Sequence, residues 1–88
     1  MKEDNIEHAL VKIIQNYTNR EADAINRTAY LREGLGLSSF DMIALSVEIE
    51  ESFSINIDNI DVLTDIDTFG DAVDLITEKI SGMAVHSK

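Results

Sequence analysis

Two adjacent serines, Ser38 and Ser39, stand directly before a run of mixed apolar and acidic residues, FDMIALSVEIEESF. A hydroxyl there can cap a helix by accepting a hydrogen bond from one of its first free amides, or it can serve as a nucleophile. Nucleophilic catalysis by the serine itself needs a base, and neither His8 nor His86 is close to Ser39 in sequence. The chain also lacks a Gly-x-Ser-x-Gly elbow and a glycine-rich phosphate loop. Asp65, Asp67 and Gly70 faintly echo a calcium loop, but Phe69 and Ile76 occupy positions that would have to supply oxygen ligands, so the metal prediction is none. Adjacent carboxylates such as Glu50 and Glu51 read as solvated helix acids, more useful as docking charges than as an acid and base pair. With no catalytic residue to nominate, the chain does not read as an independent enzyme.

The element that must position these serines is a helix that opens at this pair, one serine capping it and the other at its mouth, and runs to Phe53. At about 100° per residue its apolar side chains form two stripes. Met42, Leu45, Ile49 and Phe53 make one, and Phe40, Ile43 and Val47 the other. Asp41 and Glu48 on one edge and Glu50 on the other place the second stripe in an acidic surround beside Ser39. A helix that only closes a core needs a single stripe. The second is expected to be gripped by a partner, the alternative being that Ile43 and Val47 pack against another helix.

Around it the chain reads as all-α. Ile6, Ala9, Leu10, Ile13, Ile14 and Tyr17 keep a helical period, with Asp4 and Glu7 at the spacing of a capping box, and the helix fades near Tyr17 to Asn19. Thr18 to Ser38 is expected to be a long loop pinned by Ile25, Tyr30, Leu31, Leu35 and Leu37, with a helical turn around Ala29 to Glu33. Ile55 and Ile57 suggest an extended connector, and Asp58 a cap for a short helical piece from Asn59 to Leu63. Thr68 and Asp71 form a second capping-box spacing, followed by Phe69, Ala72, Val73, Ile76 and Ile80 at helical period, with Gly82 as the stop and a frayed tail from Met83 to Lys88.

Eighty-eight residues suit one small domain, 1–88, without internal repeats or a linker. The absence of cysteine leaves packing as the source of stability and fits a reducing cytoplasm. The charged opening MKEDNIEHAL is unlike a signal peptide, and no apolar run is long enough to span a bilayer. The net charge is −10, and it is unevenly placed. All seven bases, Lys2, Lys12, Arg20, Arg27, Arg32, Lys79 and Lys88, fall outside the segment from Glu33 to Glu78, which holds twelve acids. Such asymmetry favours basic protein partners and argues against nucleic acid.

The stretch from Gly34 to Phe53 resembles the second helix of an acyl carrier protein. The family's modified-serine motif, Asp-Ser-Leu followed by Asp, is matched by Ser38, Ser39, Phe40 and Asp41. The likeness extends through Glu50, Glu51 and Phe53 to Thr68, Gly70, Asp71, Ala72 and Asp74, and so covers most of the chain. Ser38 in place of the aspartate keeps a capping oxygen but removes a charge that a modifying enzyme would meet, and Phe40 replaces the leucine. Together they lean towards a specialised pathway.

The resemblance implies a small four-helix bundle, three longer helices and one short, with a long loop between the first two. It also implies that Ser39 accepts a 4′-phosphopantetheine arm from coenzyme A, whose thiol carries an acyl group as a thioester. The amides and dipole of the helix N-terminus suit its phosphate. Phe40, Ile43 and Val47, ringed by Asp41, Glu48, Glu50 and Glu51, would then dock a phosphopantetheinyl transferase and enzymes that load and use the acyl group. The expected protein is a cytoplasmic monomer without membrane or nucleic-acid partners. From another class, the same helix would suit a small acidic interaction module that is never modified.

Overall fold

The computed structural model describes residues 3–58 and 64–86. Described along the chain are three α-helices and one 3-10 turn, α1 from Glu3 to Ile14, α2 from Ser39 to Phe53 and α3 from Phe69 to His86, with the 3-10 turn at Ala22–Ala24. No strand occurs among the described residues; a single antiparallel bridge joins Tyr30 to Thr68. The short helix expected over Asn59 to Leu63 lies outside the described residues.

α1 buries the residues that its period selects. Ile6, Leu10, Ile13 and Ile14 are buried, and Ala9 and Tyr17 pack at the edge of the core. Each such aliphatic side chain contributes roughly 1.5–3 kcal/mol relative to exposure. The helix starts earlier than its Asp4 capping-box spacing suggests, because Asp4 already lies within it. Past Ile14 the chain tightens into turns, with Asn16 and Tyr17 donating backbone N–H groups to Ile13 and Ile14. α1 packs against both α2 and α3.

Backbone bonds to neighbouring segments hold much of the long loop between α1 and α2 in place of helix. Leu31 donates to the Asp67 carbonyl, while Phe69 and Gly70 donate to Ala29 and Arg27. This pairing satisfies groups that a buried loop would otherwise leave costly. Ile25, Leu31, Leu35 and Leu37 pin the loop as their positions suggest. Tyr30 does not. Its side chain is 52% exposed, and its contribution is backbone pairing with Thr68 together with a turn in which Gly34 and Leu35 donate to its carbonyl. Arg27 ties three segments together, reaching Glu7 on α1 at 3.3 Å and Asp74 on α3 at 2.7 Å.

α2 ends at Ser54, which takes the left-handed conformation at φ 56° and donates its N–H to the Glu50 carbonyl. Ile55 and Ile57 follow, buried and outside regular secondary structure, as an apolar connector rather than a strand. α3 opens on a reciprocal cap. Thr68 Oγ1 accepts from the Asp71 amide, and the Asp71 carboxylate accepts from the amides of Thr68 and Asp67. The backbone bonds from Thr68 and then Asp67 hold the Asp71 carboxyl below its ordinary value of 3.8. Phe69, Ala72, Val73 and Ile76 close the core from this side. The helix does not stop at Gly82 but continues to His86. A mid-helix glycine costs only about 1 kcal/mol, and no proline follows to enforce an end.

Candidate functional site

Two glycines shape the approach to α2. Gly36 turns the chain at φ 79°, a conformation that an L side chain rarely adopts. A Cβ at Gly34 would come within 2.7 Å of the Tyr30 carbonyl oxygen, so that turn closes only on glycine. Leu35 and Leu37, on either side of Gly36, are both buried, and Leu37 donates its N–H to the Leu31 carbonyl. Thr18 Oγ1 donates to the Leu35 carbonyl at 3.1 Å, fastening the same turn to the end of α1.

The loop thereby delivers Ser38 to the N-cap. Its Oγ accepts from the Asp41 amide at 3.0 Å, while the Asp41 carboxylate accepts from the Ser38 amide at 3.0 Å, a complete capping box with aspartate in the usual glutamate position. Ser39 is therefore relieved of capping. It is the first residue of α2 and exposed, and its Oγ accepts a hydrogen bond from Arg32 Nη1 at 2.8 Å. A guanidinium donates hydrogen bonds but cannot take a proton. The contact therefore supplies no base for a serine nucleophile. An exposed hydroxyl with a cation against its oxygen does fit a phosphate ester, whose anionic oxygens need donors.

The two stripes of α2 separate as the wheel predicts. Met42, Leu45, Ile49 and Phe53 are buried. Phe40 is 80% exposed and Val47 47% exposed, on the same side as Ser39, with Ile43 half-buried between them. Packing against another helix, the alternative for Ile43 and Val47, therefore accounts for Ile43 only in part and leaves Val47 about half exposed.

The acids around this stripe divide by role. Glu51 is exposed. Asp41 is engaged in the cap, and the Glu50 carboxylate accepts from the Ile57 amide at 2.8 Å, holding the connector against α2. Glu48 turns towards the segment just past α1, accepting from Tyr17 OH at 2.8 Å and from Asn16 Nδ2 at 3.3 Å. Burial, followed by this carboxylate, pushes the Tyr17 phenol above its ordinary value of 10.0. A single-helix wheel cannot reveal such cross-segment contacts, so Glu48 and Glu50 read from sequence only as surface charges.

Two residues near the site escaped sequence reasoning. Arg32 is the last base before the acidic segment, seven residues ahead of Ser39 across a double-glycine turn, and that position was the available signal. Ser46 is fully buried on the core side of α2, with Oγ donating to the Ile43 carbonyl at 2.7 Å. It lines a small cavity of about 10 Å³ with Leu31, Met42, Leu45 and Ile76. That volume is about enough for a single water. Among the described residues no helix is long and apolar enough to cross a membrane, and no three His, Cys, Asp or Glu side chains gather as a metal site.

Comparison with known proteins gives consistent findings. The family described as "Phosphopantetheine attachment site" matches residues 8–76. Acyl carrier proteins from two strains of Porphyromonas gingivalis are each 29% identical over 75 residues, covering 85% of this chain and 95% of theirs. A solved structure of acyl carrier protein from Enterococcus faecalis superposes with a TM-score of 0.77 at 28% identity, covering 90% of this chain and 99% of that one.

Proposed function

The chain belongs to the phosphopantetheine attachment family and is an acyl carrier, a partner of biosynthetic enzymes rather than an enzyme; from that premise we propose that Ser39 bears the 4′-phosphopantetheine arm. The observation that supports this most is the division of labour at the start of α2. Ser38 Oγ is committed to the Asp41 amide, whereas Ser39 Oγ is exposed and accepts from the end of an arginine side chain in the contact described above. Once attached, the arm supplies a thiol that carries acyl groups as thioesters. The chain's own share is to hold the attachment oxygen outward and to present a face that enzymes can grip.

That face is Phe40, Ile43 and Val47, with Asp41, Glu48, Glu50 and Glu51 around it. An exposed aromatic beside an aliphatic residue suits the desolvated centre of an interface. The acids, in a segment with no lysine or arginine of its own from Glu33 to Glu78, steer enzymes with basic docking surfaces, the transferase first among them. The acids need not be free for this. Glu48 and Glu50 hold the turn after α1 and the connector in place, so their contribution is to the field rather than to direct contact. Residues 1–88 act as one carrier domain, monomeric and cytoplasmic, a setting that suits a domain stabilised without disulfides. An unmodified interaction module would account for the same face but leaves the family match without a role.

Because the chain contains no cysteine, every thiol on the folded protein must come from the arm. After incubation with coenzyme A and a broad-specificity phosphopantetheinyl transferase, thiol titration of the desalted protein should rise from none to one per chain. In Ser39→Ala it should stay at none. A thiol on the variant, or none on the parent protein, contradicts the assignment.

A further inference from the structure

Arg32 is separated from Ser39 by the turn of Gly34 and Gly36, yet its Nη1 lies 2.8 Å from Ser39 Oγ. The turn that delivers Ser38 to the cap also brings the arginine alongside the neighbouring hydroxyl. A guanidinium stays protonated and planar, so it donates to an oxygen at that point whether the oxygen carries hydrogen or phosphorus. We propose that Arg32 is a positioning residue for arm attachment, holding Ser39 Oγ in place before transfer and donating to the phosphodiester afterwards. This rests on Ser39 as the attachment point.

The charge change gives the contact its purpose. In the transfer a bond forms between Ser39 Oγ and the phosphorus of coenzyme A nearest the pantetheine. The bond from that phosphorus to the bridging pyrophosphate oxygen breaks, and adenosine 3′,5′-bisphosphate leaves with the electron pair. The hydroxyl proton passes to a base of the transferase, since Arg32 cannot accept it. A neutral hydroxyl thus becomes a phosphodiester with one negative charge, on a segment that holds twelve acids and no base between Glu33 and Glu78. Arg32 stands one residue ahead of that segment and already touches the oxygen that remains at the junction. A charge-assisted hydrogen bond there opposes the added repulsion, although its exposure to solvent keeps the effect modest.

The test uses the full chain labelled with 15N-arginine, with Arg32→Ala and Arg32→Lys alongside. Circular dichroism confirms that each variant is folded, and intact mass reports how much is modified. On modification of the parent protein, the side-chain N–H resonance assigned to Arg32 should move, and the 31P resonance of the phosphodiester should differ from that of the same protein in denaturant. In folded Arg32→Ala the 31P resonance should shift towards the denatured position, with Arg32→Lys between. The kcat/KM for modification should fall about threefold to tenfold in Arg32→Ala, with the ratio shrinking at high salt. Modification that leaves the Arg32 resonance unmoved, or a 31P position and rate unchanged in Arg32→Ala, overturns the role of Arg32 and leaves Ser39 standing. Failure of the parent protein to gain mass overturns both.

Discussion

Replacing Leu45 with alanine is expected to remove about 2–5 kcal/mol of folding stability, a large share of what a domain this small possesses. Leu45 is 2% exposed on the core side of α2 and lines the small interior cavity with Met42 and Ile76. Truncation loses the transfer free energy of the removed atoms and enlarges an existing void, and neighbours held by three helices collapse into it only partly. Urea or thermal unfolding monitored by helix content reads the loss directly. A change below about 1 kcal/mol would mean that α2 does not carry the core on this face, and the placement of its two stripes would have to be reversed.

Two residues further along, Val47→Lys should give the opposite pattern, leaving stability within about 0.5 kcal/mol while slowing modification by the transferase about tenfold or more. Val47 is 47% exposed on the same side as Phe40, so a lysine stem has room to lie along the helix with its ammonium in water. The surrounding acids accommodate the charge within the folded protein. The cost falls on encounter, because a positive charge then sits in the centre of a face that basic enzymes approach. The slowing should appear chiefly in kcat/KM, and added salt should reduce the difference from the parent protein. If Val47→Lys unfolds, the second stripe belongs to the core. If it folds and is modified at the parent rate, the transferase uses another face.

These contrasts lie in a helix whose two-sided character was legible from spacing alone. The burial of Met42, Leu45 and Ile49 and the exposure of Phe40 and Val47 follow from a period of 3.6. The capping box at Thr68 and Asp71 was equally legible, since both partners lie within one turn and no distant residue is needed to form it. Contacts that cross between segments were not. The bond from Tyr17 to Glu48 joins residues 31 apart, and nothing in either local pattern pairs them. Arg32 belongs to the same class, reaching Ser39 only because glycine lets the intervening turn close.

The local misreadings have a common origin as well. Tyr30 looked like an apolar pin, but its backbone rather than its ring holds the loop. Gly82 looked like a helix stop, yet an added Cβ there would meet nothing, and the backbone simply continues through it. Residue type reports what a position can do. Tertiary context decides which of those possibilities is used.

The claim that Ser39 is the attachment point rests on the capping role of its neighbour, and a tandem mass spectrum separates the two serines directly. The protein is incubated with coenzyme A and a broad-specificity transferase, digested, and the peptide spanning Ser38 and Ser39 fragmented between them. The phosphopantetheinyl mass should remain on fragments that retain Ser39 and be absent from those that end at Ser38. It should persist in Ser38→Ala and vanish in Ser39→Ala. The mass on Ser38, or its survival in Ser39→Ala, would contradict the account.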